Sequence, residues 1–145
     1  MADFGVMAAG CISLTTQSAK EYWYAGQLRT GDTLTLPRQD LGLLYGATLF
    51  TTLRVYDCNL DHAWTAWTAH QARLTRSLQA FHWVEPDWQQ VRQGAEALAP
   101  HFPVLRVTVF PDGRELILGR SLPSDLVVKQ TLGVLVWVAD GLEYG

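Results

Sequence analysis

Apolar and polar positions follow two different periods along the chain, and the changes between them predict strands and helices. From Glu21 the residues are first rich in aromatic rings and then alternate between apolar and polar, with Gly26 and Gly31 at positions suited to turns. This pattern predicts a β-hairpin. Residues 45–57 alternate again and predict a strand. From about Trp64 to Phe81 the apolar residues recur at helical spacing, which predicts a first helix.

The second half of the chain contains a helix signal and then strand signals. Pro86 suits the first turn of a second helix, which Pro100 would stop. Residues 104–119 predict a β-hairpin, with Asp112 and Gly113 in its turn. A last strand-like run begins near residue 126 and continues to the chain end. This order predicts an α+β fold, an antiparallel sheet with two helices.

Successive side chains in the predicted strand 45–57 point to opposite faces of the sheet. The odd positions are almost wholly apolar and are expected to face the core: Ala47, Leu49, Thr51, Leu53 and Val55. The even positions mix hydroxyls, rings and a guanidinium, which would suit a small polar ligand: Thr48, Phe50, Thr52, Arg54 and Tyr56. The strand near residue 105 separates in the same way, and its second face carries Val104, Arg106, Thr108 and Phe110.

These polar positions also have a plain structural interpretation. Threonine and arginine are common on the wet face of an antiparallel sheet. Arg73 and His70 in the first predicted helix fit a solvated surface in the same way. Alternatively, a guanidinium beside a donor histidine suits an anion, because its fork matches phosphate oxygens. The residue pattern alone leaves both alternatives open.

Composition narrows the class of protein and of partner. A chain of 145 residues can bury a core as one domain, and a formal net charge of −3 offers no basic patch for nucleic acid. No window approaches the roughly 18 apolar residues needed to cross a membrane. Cys11 and Cys58 form neither a CxxC motif nor a cluster with histidine. Zinc and a disulfide framework are therefore not indicated, and reduced thiols in a cytoplasmic protein are expected.

Ordered motifs run from about Tyr22 to Thr108. The first carries Asp40, Tyr45, Gly46, Phe50, Thr52, Arg54, Tyr56 and Asp57, and "HQARL" follows it with His70, Arg73 and Leu74. Together they resemble the N-terminal domain of the class IV (fold type IV) pyridoxal-phosphate enzymes: branched-chain aminotransferases, D-amino-acid aminotransferases and aminodeoxychorismate lyases. The variant "FTT" is closer to the lyase version of the motif. After the later strand, "TVFPDGREL" forms a hairpin where the family often has T-R-G.

The resemblance implies a cofactor, pyridoxal 5'-phosphate, and roles for five residues. Arg73 would bind the cofactor phosphate. Phe50, Thr52 and Arg54 would line the substrate side, and Arg106 would be a candidate for binding a substrate carboxylate. The strand residues lie on the same faces that alternation selects, so two routes agree on the faces. The family's dimers imply a homodimer for the full-length protein.

The family's chemistry also requires a lysine that forms a Schiff base with the cofactor. The chain has only Lys20 and Lys129, and neither stands in the family's K-x-L-N context. We therefore expect a loose N-terminal extension over residues 1–20 and an N-terminal α+β domain over residues 21–122. Residues 123–145 would be a linker and the first strand of a truncated C-terminal domain. The chain alone would carry no catalytic residue and would be inactive.

For the full-length enzyme, the resemblance implies one of two reactions. The first is elimination of pyruvate from 4-amino-4-deoxychorismate, which gives 4-aminobenzoate for folate synthesis. The second is transfer of an amino group from an amino acid to a 2-oxo acid. The competing hypothesis is a non-catalytic small domain that kept the fold and binds a partner or an anionic metabolite. An apolar last strand, which would be exposed in a free-standing domain, favours truncation.

Overall fold

The computed structural model describes residues 20–133 and residue 135. The predicted N-terminal extension therefore lies outside the described residues, apart from Lys20. In the described part the chain forms β1 (Glu21–Tyr24), β2 (Gln27–Thr30), α1 (Leu41–Tyr45), β3 (Leu49–Arg54), α2 (Trp67–Ala80), α3 (Trp88–Leu98), β4 (Val104–Val109), β5 (Glu115–Arg120) and α4 (Leu126–Leu132). The predicted α+β class is confirmed.

The five strands form one antiparallel sheet in the order β2-β1-β5-β4-β3. The two predicted hairpins lie side by side because β1 pairs with β5, with Trp23 opposite Ile117. Among the described strands, β3 has a neighbour on one side only, β4. It is therefore an edge strand, and the predicted site residues lie at that edge.

Helices α2 and α3 cover one face of the sheet and enclose the main core. Alternate strand residues point into it, and Leu53, Leu105 and Ile117 are all buried there. Helix α3 lies close to β1 because Gly94 has no side chain: a Cβ at this position would lie 2.4 Å from the ring of Trp23. Helix α2 packs on β3 and so brings its residues to the sheet edge.

The opposite face is covered over part of its area by the segment between β2 and α1. A second apolar cluster there contains Tyr24, Phe110 and Leu116, with Leu34 and Leu36 packed against it. Phe110 lies on the same face as Arg106, as alternation predicted, but it is buried in this cluster and is not open to a ligand. The neighbouring area of β3 and β4 remains more open, and it carries the predicted substrate-side residues.

Two helices were not predicted. Helix α1 begins at Asp40, whose carboxylate accepts the N–H groups of Gly42 at 2.8 Å and Leu43 at 3.3 Å, and it ends at Gly46 with a φ of 62°. Helix α4 replaces the first part of the predicted last strand. The backbone N–H and C=O groups of a strand need a neighbouring strand for their hydrogen bonds, whereas those of a helix are hydrogen-bonded within the helix itself. The rest of the predicted strand, residue 134 and residues 136–145, lies outside the described residues.

Cys58 is disulfide-bonded, so the prediction of a reduced thiol at this position is wrong. Disulfides are rare in cytoplasmic proteins. The cytoplasmic location therefore remains a prediction, and the disulfide at Cys58 does not support it. In the part of the chain that the structure describes, no helix is long and apolar enough to cross a membrane.

Candidate functional site

Strand β3 separates its side chains as the sequence predicted. Thr51 and Leu53 are buried against helix α2, while Thr52 is exposed and Phe50 is 46% exposed on the other face. The strand pairs with β4 in a register that places Thr52 directly opposite Arg106. The predicted substrate-side residues of two separate strands therefore share one area of the sheet.

The ring of Phe50 and the guanidinium of Arg106 form a stacked pair. The Cζ atom of Arg106 lies 3.7 Å from the centre of the ring, as in a close cation–π contact. The contact is diagonal across the two strands, because Phe50 pairs with Thr108 and Arg106 pairs with Thr52. The contact restrains the guanidinium of Arg106 on the face of the sheet where Thr52, its cross-strand partner, is exposed.

Arg54, at the end of β3, is held in a similar way by a different ring. Its Cζ atom lies 4.8 Å from the centre of the Tyr56 ring. Neither Arg54 nor Arg106 forms an ion pair with a carboxylate of the described residues. A ring holds each guanidinium through its face, so its N–H donors remain for other acceptors.

Arg73 reaches the open edge of the sheet from helix α2. Its Nη2 atom donates a hydrogen bond of 2.9 Å to the backbone carbonyl of Phe50. This carbonyl points away from β4, because the ladder to β4 uses the alternate residues, as the Val55 N–H to Pro103 carbonyl bond shows. Arg73 is exposed and has no carboxylate partner among the described residues.

His70 lies one turn before Arg73 and binds the same strand. Its Nδ1 atom and the hydroxyl of Thr51 are 2.6 Å apart. Burial, and next the positive charge of Arg73, lower the pKa of His70, so the imidazole is neutral at pH 7. Sequence reasoning placed Thr51 on the core face of the strand and did not identify His70 as its partner. The i, i+3 spacing of His70 and Arg73 was the available signal that both face one strand.

Phe50 connects the two groups of site residues. Its carbonyl accepts a hydrogen bond from Arg73, and its ring stacks on Arg106. Guanidinium groups therefore contact one exposed edge residue through its backbone and through its side chain. Arg54 adds a third positive charge on the face of β3 that carries the Phe50 ring and Arg106, whereas Arg73 reaches the strand edge from the α2 side. Such an arrangement can bind oxyanions, phosphate or carboxylate, through charge-assisted hydrogen bonds.

The two lysines are bound elsewhere. Lys20 precedes β1 and pairs with Asp32 at 2.7 Å, and Lys129 in α4 pairs with Asp125 at 2.7 Å. Strands β5 and β4 separate β1 from β3, so Lys20 starts on the far part of the sheet. Within the described residues, no group of histidine, cysteine and acidic side chains could hold a metal ion.

Comparison with known proteins does not assign the chain to a family. No protein-family model matches it, and no curated protein matches it.

Proposed function

We propose that this chain forms one wall of a pyridoxal 5'-phosphate site, as the N-terminal part of a class IV enzyme. The full-length protein would be a 4-amino-4-deoxychorismate lyase or a class IV amino acid aminotransferase. Its substrate would be aminodeoxychorismate or an amino acid, and it would act as a homodimer in the cytoplasm. The fold type IV assignment is part of this proposal.

One observation carries the proposal. Arg73 and Arg106, which the motif resemblance relates to the cofactor phosphate and to a substrate carboxylate, both contact Phe50. They approach from a helix and from a strand that lie far apart in sequence. A solvated polar surface does not require this convergence, and unpaired guanidiniums at one edge residue favour a ligand with more than one anionic group.

The residues present fit the cofactor on its phosphate side. Arg73 would hold the phosphate at the edge of β3, and neutral His70 would add no second charge there at pH 7. When bound, the cofactor supplies a pyridine ring that withdraws electrons from a substrate amino group. Arg106 would orient the substrate carboxylate, and Thr52 would offer it a hydroxyl. The chain's lysines are held by carboxylates, so this wall does not supply the covalent attachment.

The same pairing of the lysines favours a second candidate function. A domain that binds an anionic metabolite without catalysis would need the three arginines and no lysine near them. Lys20 and Lys129 each form an ion pair with an aspartate. This candidate predicts binding of simple phosphate or carboxylate anions with no preference for a pyridine ring.

The test is a titration of the ¹⁵N-labelled 145-residue chain with 4-deoxypyridoxine 5'-phosphate, followed by NMR. This analogue lacks the aldehyde and cannot couple to Lys20 or Lys129. We expect signals of Phe50 and Arg73 to shift. Arg73→Ala should weaken binding about 10-fold or more, since hydrogen bonds to charged groups contribute about 1.5–3 kcal/mol. Arg76→Ala, an exposed arginine on the same helix, is the matched control.

Three results separate the possibilities. Equal affinity in Arg73→Ala and Arg76→Ala would refute the phosphate role of Arg73. Binding of inorganic phosphate as tight as that of the analogue would favour the non-catalytic anion-binding domain. Binding of the analogue at least several-fold tighter than that of phosphate would support the cofactor site.

A further inference from the structure

The loop that follows β3 places three aromatic rings beside Arg54. The rings of Tyr56 and His62 stack with centres 5.4 Å apart and planes 24° apart. The ring of Trp64 meets them edge-on, 5.6 Å from Tyr56 and 5.8 Å from His62. We call Tyr56, His62 and Trp64 the aromatic cluster. Because Arg54 stacks on Tyr56, the cluster continues the candidate site beyond the end of β3.

The loop is built to hold these rings in place. Thr65 is almost fully buried; its hydroxyl accepts the N–H of Tyr56 at 3.1 Å and donates to the carbonyl of Asn59 at 3.1 Å. Asp61 pairs with Arg92 of helix α3 at 2.9 Å, which ties the loop to the helical layer. The loop also contains non-glycine residues with positive φ, which cost energy and concentrate at binding and active sites: Asp57 (52°), Cys58 (54°) and Ala66 (53°).

Trp64 is 75% exposed even though this loop fixes its position. Leaving a large ring in water forfeits the stabilisation that burial gives, so an exposed tryptophan on a braced loop favours a ligand. The cluster itself is too closely packed to enclose a ligand, since its rings already contact one another. The free surface of Trp64 is therefore the part that can bind.

We propose that the aromatic cluster and Arg54 form a binding subsite for a planar ring that carries a carboxylate. The ring would stack on Trp64, and the carboxylate would bind the guanidinium of Arg54. Tyr56 contacts both Arg54 and Trp64 and so keeps the two side chains near each other. Aliphatic carboxylates would satisfy Arg54 but would gain less from the indole. As a specificity subsite of the wall, this inference rests on the proposed function, although its binding test does not use the phosphate position.

The test compares benzoate with cyclohexanecarboxylate, which carries the same charge on a ring of similar size that is not aromatic. Each is titrated into the ¹⁵N-labelled 145-residue chain while the indole N–H signals are followed by NMR. Trp64→Phe identifies the Trp64 signal. We expect benzoate to shift that signal and to bind about 3- to 10-fold tighter than cyclohexanecarboxylate, the gain typical of one aromatic contact.

Variants locate the binding. Trp64→Ala should weaken benzoate binding about 3- to 10-fold, and Arg54→Gln should weaken both carboxylates. Phe81→Ala removes another exposed ring, outside the cluster, and should change neither affinity. Folding is checked by the dispersion of the remaining backbone signals.

Each outcome decides between the two proposals. Equal binding of the two carboxylates, unchanged benzoate affinity in Trp64→Ala, or the absence of a shift at Trp64 would overturn the subsite. Overturning it while the phosphate analogue still binds through Arg73 would leave the proposed function intact. Benzoate bound through Trp64 and Arg54 without any Arg73-dependent binding of the analogue would support the subsite and refute the cofactor site.

Discussion

Replacing Arg114 by methionine tests how the segment before β3 is attached to the sheet. The guanidinium of Arg114 donates to the carboxylates of Asp40 and Asp112 and to the hydroxyl of Tyr24, the last at 2.6 Å. The Asp40 residue is 4% exposed. Methionine keeps the aliphatic stem and removes the charge, so the variant leaves a carboxylate in the interior with backbone N–H donors alone.

The expected cost follows from the burial of this pair. Removing one partner of a buried ion pair costs about 3–5 kcal/mol. The side chain of Arg114 is 26% exposed, so water screens part of the interaction and a loss near the lower end, about 3 kcal/mol, is expected. This is a large part of the roughly 5–15 kcal/mol by which a domain is stable.

Urea unfolding at pH 7, followed by far-ultraviolet circular dichroism, measures this loss. Arg120→Met changes an exposed arginine of the same hairpin and is the matched control. A loss below about 1 kcal/mol, the value of a surface ion pair, would refute the reasoning.

The stability difference between Arg114→Met and the wild type should also depend on pH. The hydrogen bond from Arg114 is the main cause that lowers the pKa of Asp40, so the folded chain binds a proton at this carboxylate less readily than the unfolded chain. The stability contributed by the pair is therefore present above about pH 4 and is lost as the pH falls through the lower pKa of the folded state. Arg114→Met should lose less stability than the wild type over this acid range, and parallel curves would contradict the assignment.

Three further changes test the core and the site. Gly94→Ala places a methyl group against the Trp23 ring and should cost about 1–3 kcal/mol in urea unfolding, despite the better helix propensity of alanine; an unchanged or higher stability would contradict the close packing. The pKa of His70 is lowered in the fold, so the unfolded chain takes up a proton first and the melting temperature should fall as the pH drops below about 6.5. His70→Gln should reduce this dependence of the melting temperature on pH, and the control His82→Gln should not. The same dependence in both variants would refute the role of His70. Glu115→Ala leaves the indole N–H of Trp23 and the backbone N–H of Gly26 without their acceptor, and it should cost about 2–4 kcal/mol in urea unfolding. Glu115→Gln keeps an acceptor oxygen and should restore most of this stability. Equal losses in the two variants would show that the charge of Glu115 matters and not its role as an acceptor.

Local patterns predicted the strands and the face of each that carries the site. Alternation in β3 and β4 placed Thr52 and Arg106 on one face, because the side-chain period of a strand depends only on the backbone. The same rule placed Phe110 on this face as well, but it did not predict that Phe110 is buried there. Its burial depends on Leu34 and Leu36, which come from a segment with no regular period and lie far away in sequence.

Contacts between distant residues account for most of what the sequence did not predict. The bond between Arg114 and Asp40 joins residues 74 positions apart, and no local pattern selects one aspartate from fourteen acidic residues. The bond from Arg73 to Phe50 ends on a backbone carbonyl, a group that every residue has. Helix α4 was predicted as part of a strand-like run from residue 126 to the chain end, and a local pattern of this kind did not decide the structure.

The strand order β2-β1-β5-β4-β3 has a consequence for how the chain folds. Each hairpin can form from neighbouring residues, but the pairing of β1 with β5 closes a long loop, as the bond from the Trp23 indole to Glu115 across 92 positions shows. On a ribosome, the first hairpin would emerge well before its partner strand. Its apolar face would remain uncovered until β5 is synthesised, and the edge that later receives β5 would stay open to pairing with other chains.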